Sequence, residues 1–248
     1  MEIMKSPLEQ TVIVMPAFNE EECVADVVTE VLTALPGVRC LVVNDGSDDA
    51  TAERAAAAGA TVVTLPFNLG VGAAMRVGFR YALDSGFQNV VQIDSDGQHN
   101  PSEVPMLLAE LESADLVLGA RFAGTGTYDV RGPRRWAMTF LATILSRIVK
   151  SPLTDTTSGF RASGPKAVAI FAKQYPAEYL GDTIETLVIA ARAGCSVKQV
   201  PVAMRPRAGG TPSHNPFKAG AYLGRAFLAL LFAVMRPAVS SRSEVPTA

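Results

Sequence analysis

Residues 89–98 read Asn89-Val90-Val91-Gln92-Ile93-Asp94-Ser95-Asp96-Gly97-Gln98, an apolar run followed at once by two carboxylates, a glycine and an amide. The run has the length and composition of a buried strand. Side chains at i and i+2 of an extended segment point the same way, so Asp94 and Asp96 can converge on one hard cation, and that cation can hold a diphosphate. Open α/β sheets bind their ligands at the carboxyl ends of strands, which is where these acids lie. Alone, the same letters also describe a polar turn with two solvated acids, so the flanking sequence has to decide.

Outward from this stretch the first 115 residues alternate strand and helix. Thr11 to Met15 is an apolar run ending at Pro16, and Asn19 is placed to cap a helix whose first turn carries Glu20, Glu21 and Glu22, acids that suit the positive end of a helix dipole. That helix runs to about Leu35 and stops at Pro36-Gly37. Arg39 to Asn44 reads as the second strand, Thr51 to Ala58 as an Ala-rich helix closed by Gly59, and Thr61 to Leu65 as the third strand. A loop at Asn68-Leu69-Gly70-Val71-Gly72 opens a helix from Ala73 to Asp84, and Val90 to Ile93 is the fourth strand. Asn100-Pro101-Ser102-Glu103 reads as an N-cap, a first-turn proline and a third-position acid, predicting a helix to about Glu112. Such alternation with short loops predicts an α/β fold, a mostly parallel sheet covered by helices on both faces.

Three strand-end loops carry unusual chemistry: Pro16-Ala17-Phe18-Asn19-Glu20, Asn44-Asp45-Gly46-Ser47-Asp48-Asp49 and Asp94-Ser95-Asp96-Gly97-Gln98. In a parallel sheet they meet along one edge. Phe18 offers a flat ring and Glu20 an acid beside a helix start, while the second loop offers carboxylates that can accept hydrogen bonds from a base or ribose. Ordinary capping accounts for Asn19 and Asp48 singly. Three such loops in register outline a nucleotide-diphosphate pocket.

The 248 residues are 48% hydrophobic, enough for a sizeable core, and carry a net charge of -2. Residues 1–120 hold 5 Lys and Arg against 18 Asp and Glu, whereas residues 121–248 hold 17 against 6. An acidic half that recruits a divalent cation, joined to a basic half that meets anions, fits phosphate-bearing substrates or an anionic membrane surface. No nucleic-acid motif or aromatic stacking set accompanies the basic half, so no nucleic-acid partner is expected. Cys23, Cys40 and Cys195 are odd in number and lack metal-ligand spacing, and no apolar leader precedes Thr11. Both features point to a reducing, cytoplasmic compartment, with Cys40 and Cys195 as small core residues.

With Asn68-Leu69-Gly70, Gly119-Ala120-Arg121-Phe122 and Asp155-Thr156-Thr157-Ser158-Gly159-Phe160-Arg161 added to the three loops, the ordered set resembles the inverting family 2 glycosyltransferases of the GT-A (Rossmann-like) fold. Within them it is similar to the dolichol-phosphate mannose synthase-like group of polyprenyl-phosphate glycosyltransferases. The resemblance covers roughly residues 10 to 215. It implies that Pro16, Phe18, Glu20 and Asp45 line the nucleotide site, that Asp94, Asp96 and Gln98 hold Mg2+ or Mn2+ and the sugar-nucleotide diphosphate, and that Arg121 faces the phosphates. Two departures stand out. Relatives place a lysine after the glycine that follows Asn-Leu, where this chain has Gly70-Val71-Gly72, so basic help there would come from Arg76 or Arg80. Relatives also show an Arg followed by Gly and Ser, which Arg207-Ala208-Gly209-Gly210-Thr211-Pro212-Ser213 matches with altered spacing, making Arg207 and Ser213 further candidates for the acceptor phosphate.

A lipid monophosphate brings its own anionic oxygen, so positive charge and positioning matter more than a strong base. Arg121, Arg131, Arg134 and Arg135 are suitable clamps, because guanidinium forks match phosphate geometry. Should the acceptor be a hydroxyl, Asp182 and Glu185, at i and i+3 of an expected helix, are the candidate bases; a helix cap with its first-turn acid explains them equally. Residues 134–150 form an apolar stretch with basic ends and Trp136 near its start, and Tyr222 to Met235 is a second apolar run. As a helix the latter reaches only about 21 Å against a hydrocarbon core of roughly 30 Å, and extension back to Pro216 would bury Lys218 and Arg225. Amphipathic helices lying in the membrane surface are therefore expected, with core packing or a subunit contact as the alternative.

The expected organisation is a catalytic domain over residues 1–215, comprising a nucleotide-binding half (1–115) and an acceptor half (116–215). An apolar or amphipathic helix at 216–237 and a disordered tail at 238–248 follow. The expected activity is inverting transfer of a sugar from a GDP- or UDP-sugar to a polyprenyl phosphate at the cytoplasmic membrane face, by a peripheral enzyme with or without a small membrane partner or a second copy of itself. The alternatives are a soluble family 2 enzyme acting on a sugar or small hydroxyl acceptor, a metal-dependent nucleotidyltransferase, and a non-catalytic nucleotide-sugar binding subunit.

Overall fold

The computed structural model describes residues 6–120, 133–176 and 182–207, and for residues 133–138 and 182 the backbone alone. Seven strands, β1 (Thr11–Ala17), β2 (Arg39–Asn44), β3 (Thr61–Thr64), β4 (Asn89–Gln92), β5 (Leu116–Ala120), β6 (Arg161–Ser163) and β7 (Val197–Pro201), form one sheet in the order β3-β2-β1-β4-β6-β5-β7. All pairings are parallel except those of β6, which runs against both β4 and β5. Every strand but β6 therefore delivers its carboxyl end to the same edge, and β6 brings its amino end there.

The helices are α1 (Val24–Ala34), α2 (Thr51–Ala57), α3 (Val71–Asp84), α4 (Val104–Glu110), α5 (Pro133–Val149), α6 (Pro165–Gln174) and α7 (Asp182–Arg192). Strand alternation splits the core in two. Val12 and Val14 of β1 face a cluster containing α3, α6, α7 and the described half of α5, while Ile13 and Met15 face one containing α1 and α4. Gly78 lets α3 lie directly on β1, since a Cβ there would collide with Val14 Cγ1. Cys40 and Cys195 pack one in each cluster, and burial pushes the Cys40 thiol up to about 12.

Four local expectations are corrected. β1 does not stop at Pro16 but continues to Ala17, pairing Pro16 with Val43. The missing N–H of Pro16 is harmless because its β4 side has left the ladder, and its carbonyl there accepts from the Ser95 hydroxyl at 3.1 Å. Asn19 is no helix cap: it has φ 53° and α1 begins at Val24, because Asn19 is used to join two loops. The helix after Asn100 opens as a 3-10 turn over Pro101–Glu103, with the expected Asn100 cap on the Ser102 amide. Finally, the second half of α5 is a core helix: Leu141, Ala142, Leu145 and Val149 are buried, leaving Thr139, Phe140, Thr143 and Arg147 on its outer face and exposed Lys150 just past its end.

Candidate active site

The strand-end loops are tied together by their own polar groups. The Asn19 amide donates to the Ser47 hydroxyl at 2.9 Å and its side-chain oxygen accepts the Asp48 amide at 3.1 Å. The Glu20 amide donates to Thr51 Oγ1, the Glu21 amide to Asp49, and the Ala50 amide back to Glu21. Burial opposes ionisation of Asp49, but the Thr51 hydroxyl and amide and the Glu21 amide outweigh it and hold the carboxyl below its ordinary range. The second loop is fastened in turn to the one after β3. Asp45 is buried and its two oxygens accept the Leu69 and Gly70 amides at 2.8 and 2.7 Å. Gly46, at φ +70°, has no room for a Cβ, which would stand 2.5 Å from the Phe67 carbonyl carbon. Asp45 thus shapes the pocket wall from within. Phe18, 41% exposed, keeps its ring at the surface, as does Phe67.

Asp94 and Asp96 do not follow the strand alternation expected of them, because residues 95–97 turn, with Gly97 at φ 76° and Asp96 Oδ1 accepting the Gln98 amide at 3.0 Å. Asp94 is anchored by Gln92, whose Nε2 donates to its Oδ1 at 3.1 Å, and by His99. Asp96 is 8% exposed. Burial raises its pKa and the like charge of Asp94 adds to this, against the pull of the Gln98 amide and Arg207. Two crowded carboxylates beside the Gln98 amide are hard oxygen donors that call for a cation, so Mg2+ or Mn2+ fits them. Among the described residues no three His, Cys, Asp or Glu gather around one point. Mg2+ commonly takes only one or two protein carboxylates and completes its shell with water and substrate phosphate.

Arg207 lies at this same centre. Its guanidinium meets Glu20 Oε1 at 2.5 Å and Asp96 Oδ2 at 3.5 Å, bridging the first loop to the third. It arrives there because the chain beyond β7 runs alongside the acidic loop: Val202 donates to the Ala120 carbonyl, Met204 pairs with His99, and the Arg205 amide donates to the Gln98 carbonyl at 2.9 Å. Arg205 also holds Glu30 at 2.7 Å and Asn100 at 2.9 Å. The Gln98 side chain reaches the Arg205 carbonyl at 3.5 Å. Arg76 and Arg80 are engaged elsewhere, with the Lys173 carbonyl and with Asp84, so they do not replace the lysine missing after Gly70.

The segment before β6 closes the third side. A Cβ on Gly159 would stand 3.0 Å from Asp94 Oδ2 and 3.0 Å from Gln92 Nε2. Two residues on, buried Arg161 donates to the carbonyls of Thr156, Ser158 and Thr183 and to the Thr186 hydroxyl. It thereby links this loop to the start of α7, which carries Glu185. Sequence reasoning missed Gln92, His99 and Arg161 as site residues. Gln92 closes β4 two residues before Asp94, and His99 is one of only 2 histidines, so spacing and rarity were available signals.

Arg121, Arg131 and Ser213 lie outside the described residues, as do the side chains of Arg134, Arg135 and Asp182 and all of 216–248. A groove of about 580 Å3 opens elsewhere, between α5 and residues 150–154. It has no carboxylate in its lining, so the acidic edge is the candidate site.

The sequence profile of Glycosyl transferase family 2 matches residues 12–168. The polyprenol monophosphomannose synthase of Mycolicibacterium smegmatis is 35% identical over 164 residues, 63% of this chain and 62% of that protein. The chain therefore spans under two thirds of that relative's length. The undecaprenyl-phosphate mannosyltransferase of Micrococcus luteus is 31% identical over 196 residues, 76% of this chain and 81% of that protein. Glucosyl-3-phosphoglycerate synthase of Mycobacterium tuberculosis, crystallised with Mn2+, UDP and glucosyl-3-phosphoglycerate, superposes with a TM-score of 0.69 at 26% identity, covering 92% of this chain and 80% of that one.

Proposed function

Because the chain belongs to glycosyl transferase family 2 and has a GT-A-like fold, we propose that it transfers a sugar, with inversion, from a GDP- or UDP-sugar to a polyprenyl phosphate at the cytoplasmic membrane face. The observation that carries this reading is the convergence of Glu20, Asp96 and Arg207 where four strand-end loops are laced together. The names of two relatives, a polyprenol monophosphomannose synthase and an undecaprenyl-phosphate mannosyltransferase, support the acceptor class.

In the reaction an anionic oxygen of the acceptor phosphate attacks the anomeric carbon. The bond from that carbon to the β-phosphate oxygen breaks, and the nucleoside diphosphate departs with the electron pair. No proton need be removed from the acceptor, so the chain's work is orientation and charge. Phe18 and the Asp45-braced loop receive the nucleoside, and the oxygen atoms of Asp94, Asp96 and Gln98 are the donors that would hold a divalent cation for the diphosphate. A divalent cation held by these groups would supply Lewis-acid stabilisation of the leaving diphosphate. Arg207, 3.5 Å from Asp96, is proposed to meet phosphate oxygens, since a guanidinium fork matches their geometry. Arg121, Arg131, Arg134, Arg135 and Ser213 are proposed for the acceptor phosphate, with Glu185 and Asp182 in reserve as bases for a hydroxyl acceptor.

The solved neighbour crystallised with phosphoglyceric acid favours a second reading, a small phosphate-bearing acceptor in place of the lipid. A transfer assay with undecaprenyl phosphate or phosphoglyceric acid, Mn2+ or Mg2+, and a panel of GDP- and UDP-sugars separates the two. Lipid-linked sugar is the expected product. A water-soluble product alone would replace the first reading with the second.

A further inference from the structure

We propose that His99 and Gln92 are positioning residues for Asp94, fixing its carboxylate in the orientation that a divalent cation requires. The inference rests on the donor-site reading above and assigns work to two residues outside it. His99 is 2% exposed and directs both ring nitrogens at a single residue. Its Nδ1 accepts the Asp94 backbone N–H at 3.0 Å, and its Nε2 stands 3.6 Å from Asp94 Oδ2. Since Nδ1 accepts, the ring proton is on Nε2, the nitrogen facing the carboxylate. The ring cannot turn freely: it stacks on Phe160 with centroids 4.9 Å apart and planes 14° from parallel, and its backbone bridges Met204.

Gln92 secures the other oxygen. Its Nε2 donates to Asp94 Oδ1 at 3.1 Å from the last residue of β4, two positions earlier. Gly159 closes the back of this arrangement: a Cβ there would stand 3.0 Å from both the Gln92 amide nitrogen and Asp94 Oδ2. With the Gln92 amide bonded to one oxygen, His99 Nε2 3.6 Å from the other, and the Asp94 side chain still 38% exposed, the carboxylate is held from behind and open in front. Partners that orient a ligating carboxylate this way contribute about 10- to 100-fold in metal affinity. A purely structural histidine would need the Phe160 stack but not a nitrogen toward the carboxylate.

The test titrates Mn2+, alone and with UDP or GDP, into the full chain and follows free Mn2+ by electron paramagnetic resonance. His99→Asn keeps an acceptor where Nδ1 was and removes the Nε2 contact; Gln92→Met removes the other anchor at similar volume. Both proteins, checked for wild-type melting, are expected to bind Mn2+ roughly 10- to 100-fold more weakly. Asp94→Asn is the reference for loss of the ligand. Wild-type affinity in His99→Asn and Gln92→Met alongside a loss in Asp94→Asn would overturn the positioning role and leave the donor site standing. Wild-type affinity in Asp94→Asn would overturn the metal reading itself. Should His99→Asn fail to fold, Gln92→Met decides alone.

Discussion

Asp96 carries a conflict that can be measured. Burial and the neighbouring Asp94 charge raise its pKa, so the folded protein binds its proton more tightly than the unfolded chain does. A carboxyl shifted that way favours the fold below the ordinary carboxylate pKa, near 3.9, and loses that advantage as pH rises through the folded value, leaving an ionised and partly desolvated group at pH 7. Asp96→Asn is therefore expected to melt higher than wild type at pH 7, with the difference shrinking as the medium is acidified and absent below about pH 4. The same variant should lose transfer activity by at least about 100-fold, the scale of removing one charge contact to the transition state. Thermal melts across pH beside a transfer assay check both, and a variant less stable than wild type at pH 7 would refute the linkage. Residues were the hardest level to read from sequence. Asp94 and Asp96 were legible as a site because they follow an apolar run, yet Arg207, 111 positions beyond Asp96 in the chain, reaches it only through the path after β7. Asp45 was legible as a site acid, but amides from a loop 24 and 25 residues away occupy both its oxygens.

Elements were far more legible, because hydrophobic period and turn residues are local. β2 stands where the sequence placed it, and α2 and β3 end within one residue of expectation, each bounded by capping or glycine signals. The errors fell where tertiary bonding outcompeted local preference, as when Asn19 gave up a helix cap to hold Ser47 and Asp48. Apolar period alone could not tell a membrane face from a core face, and the described half of α5 turned its stripe inward toward α7. Close packing between elements supplies the prediction at this scale. Gly78 of α3 touches Val14 of β1 so closely that an added methyl must displace a fully buried, β-branched side chain. Overpacking of this kind costs about 1–3 kcal/mol, against a gain of roughly 0.5–1 kcal/mol from replacing a helical glycine by alanine. Gly78→Ala should thus lower the urea midpoint, and Val14→Ala added to it should be less than additive because the two share one space. Additive losses would show that α3 does not press on β1.

At the scale of the whole molecule the charge divide at residue 120 runs through a single sheet. β6, from the basic half, is inserted between β4 and β5 of the acidic half, and the chain after β7 brings Arg205 to Glu30 and Arg207 to Glu20 and Asp96. Those cations are engaged with acids, so the charge left to meet an outside surface lies elsewhere, and the exposed side of α5 offers Arg147, about two turns from the 59% exposed Phe140, with Lys150 just past the helix end. No helix among the described residues is long and apolar enough to cross a membrane; Arg147 and Lys150 are exposed cations that an anionic surface would attract. Each basic side chain near an anionic leaflet contributes about 1 kcal/mol, fading within a Debye length. The full chain is therefore expected to float with phosphatidylglycerol vesicles at low salt and to detach as salt rises. Arg147→Ala with Lys150→Ala should weaken partitioning by about 2 kcal/mol, roughly 30-fold, while Mn2+ binding, which depends on the opposite chemistry at the sheet edge, stays unchanged. Flotation that ignores both salt and this double substitution would assign membrane contact to another part of the chain.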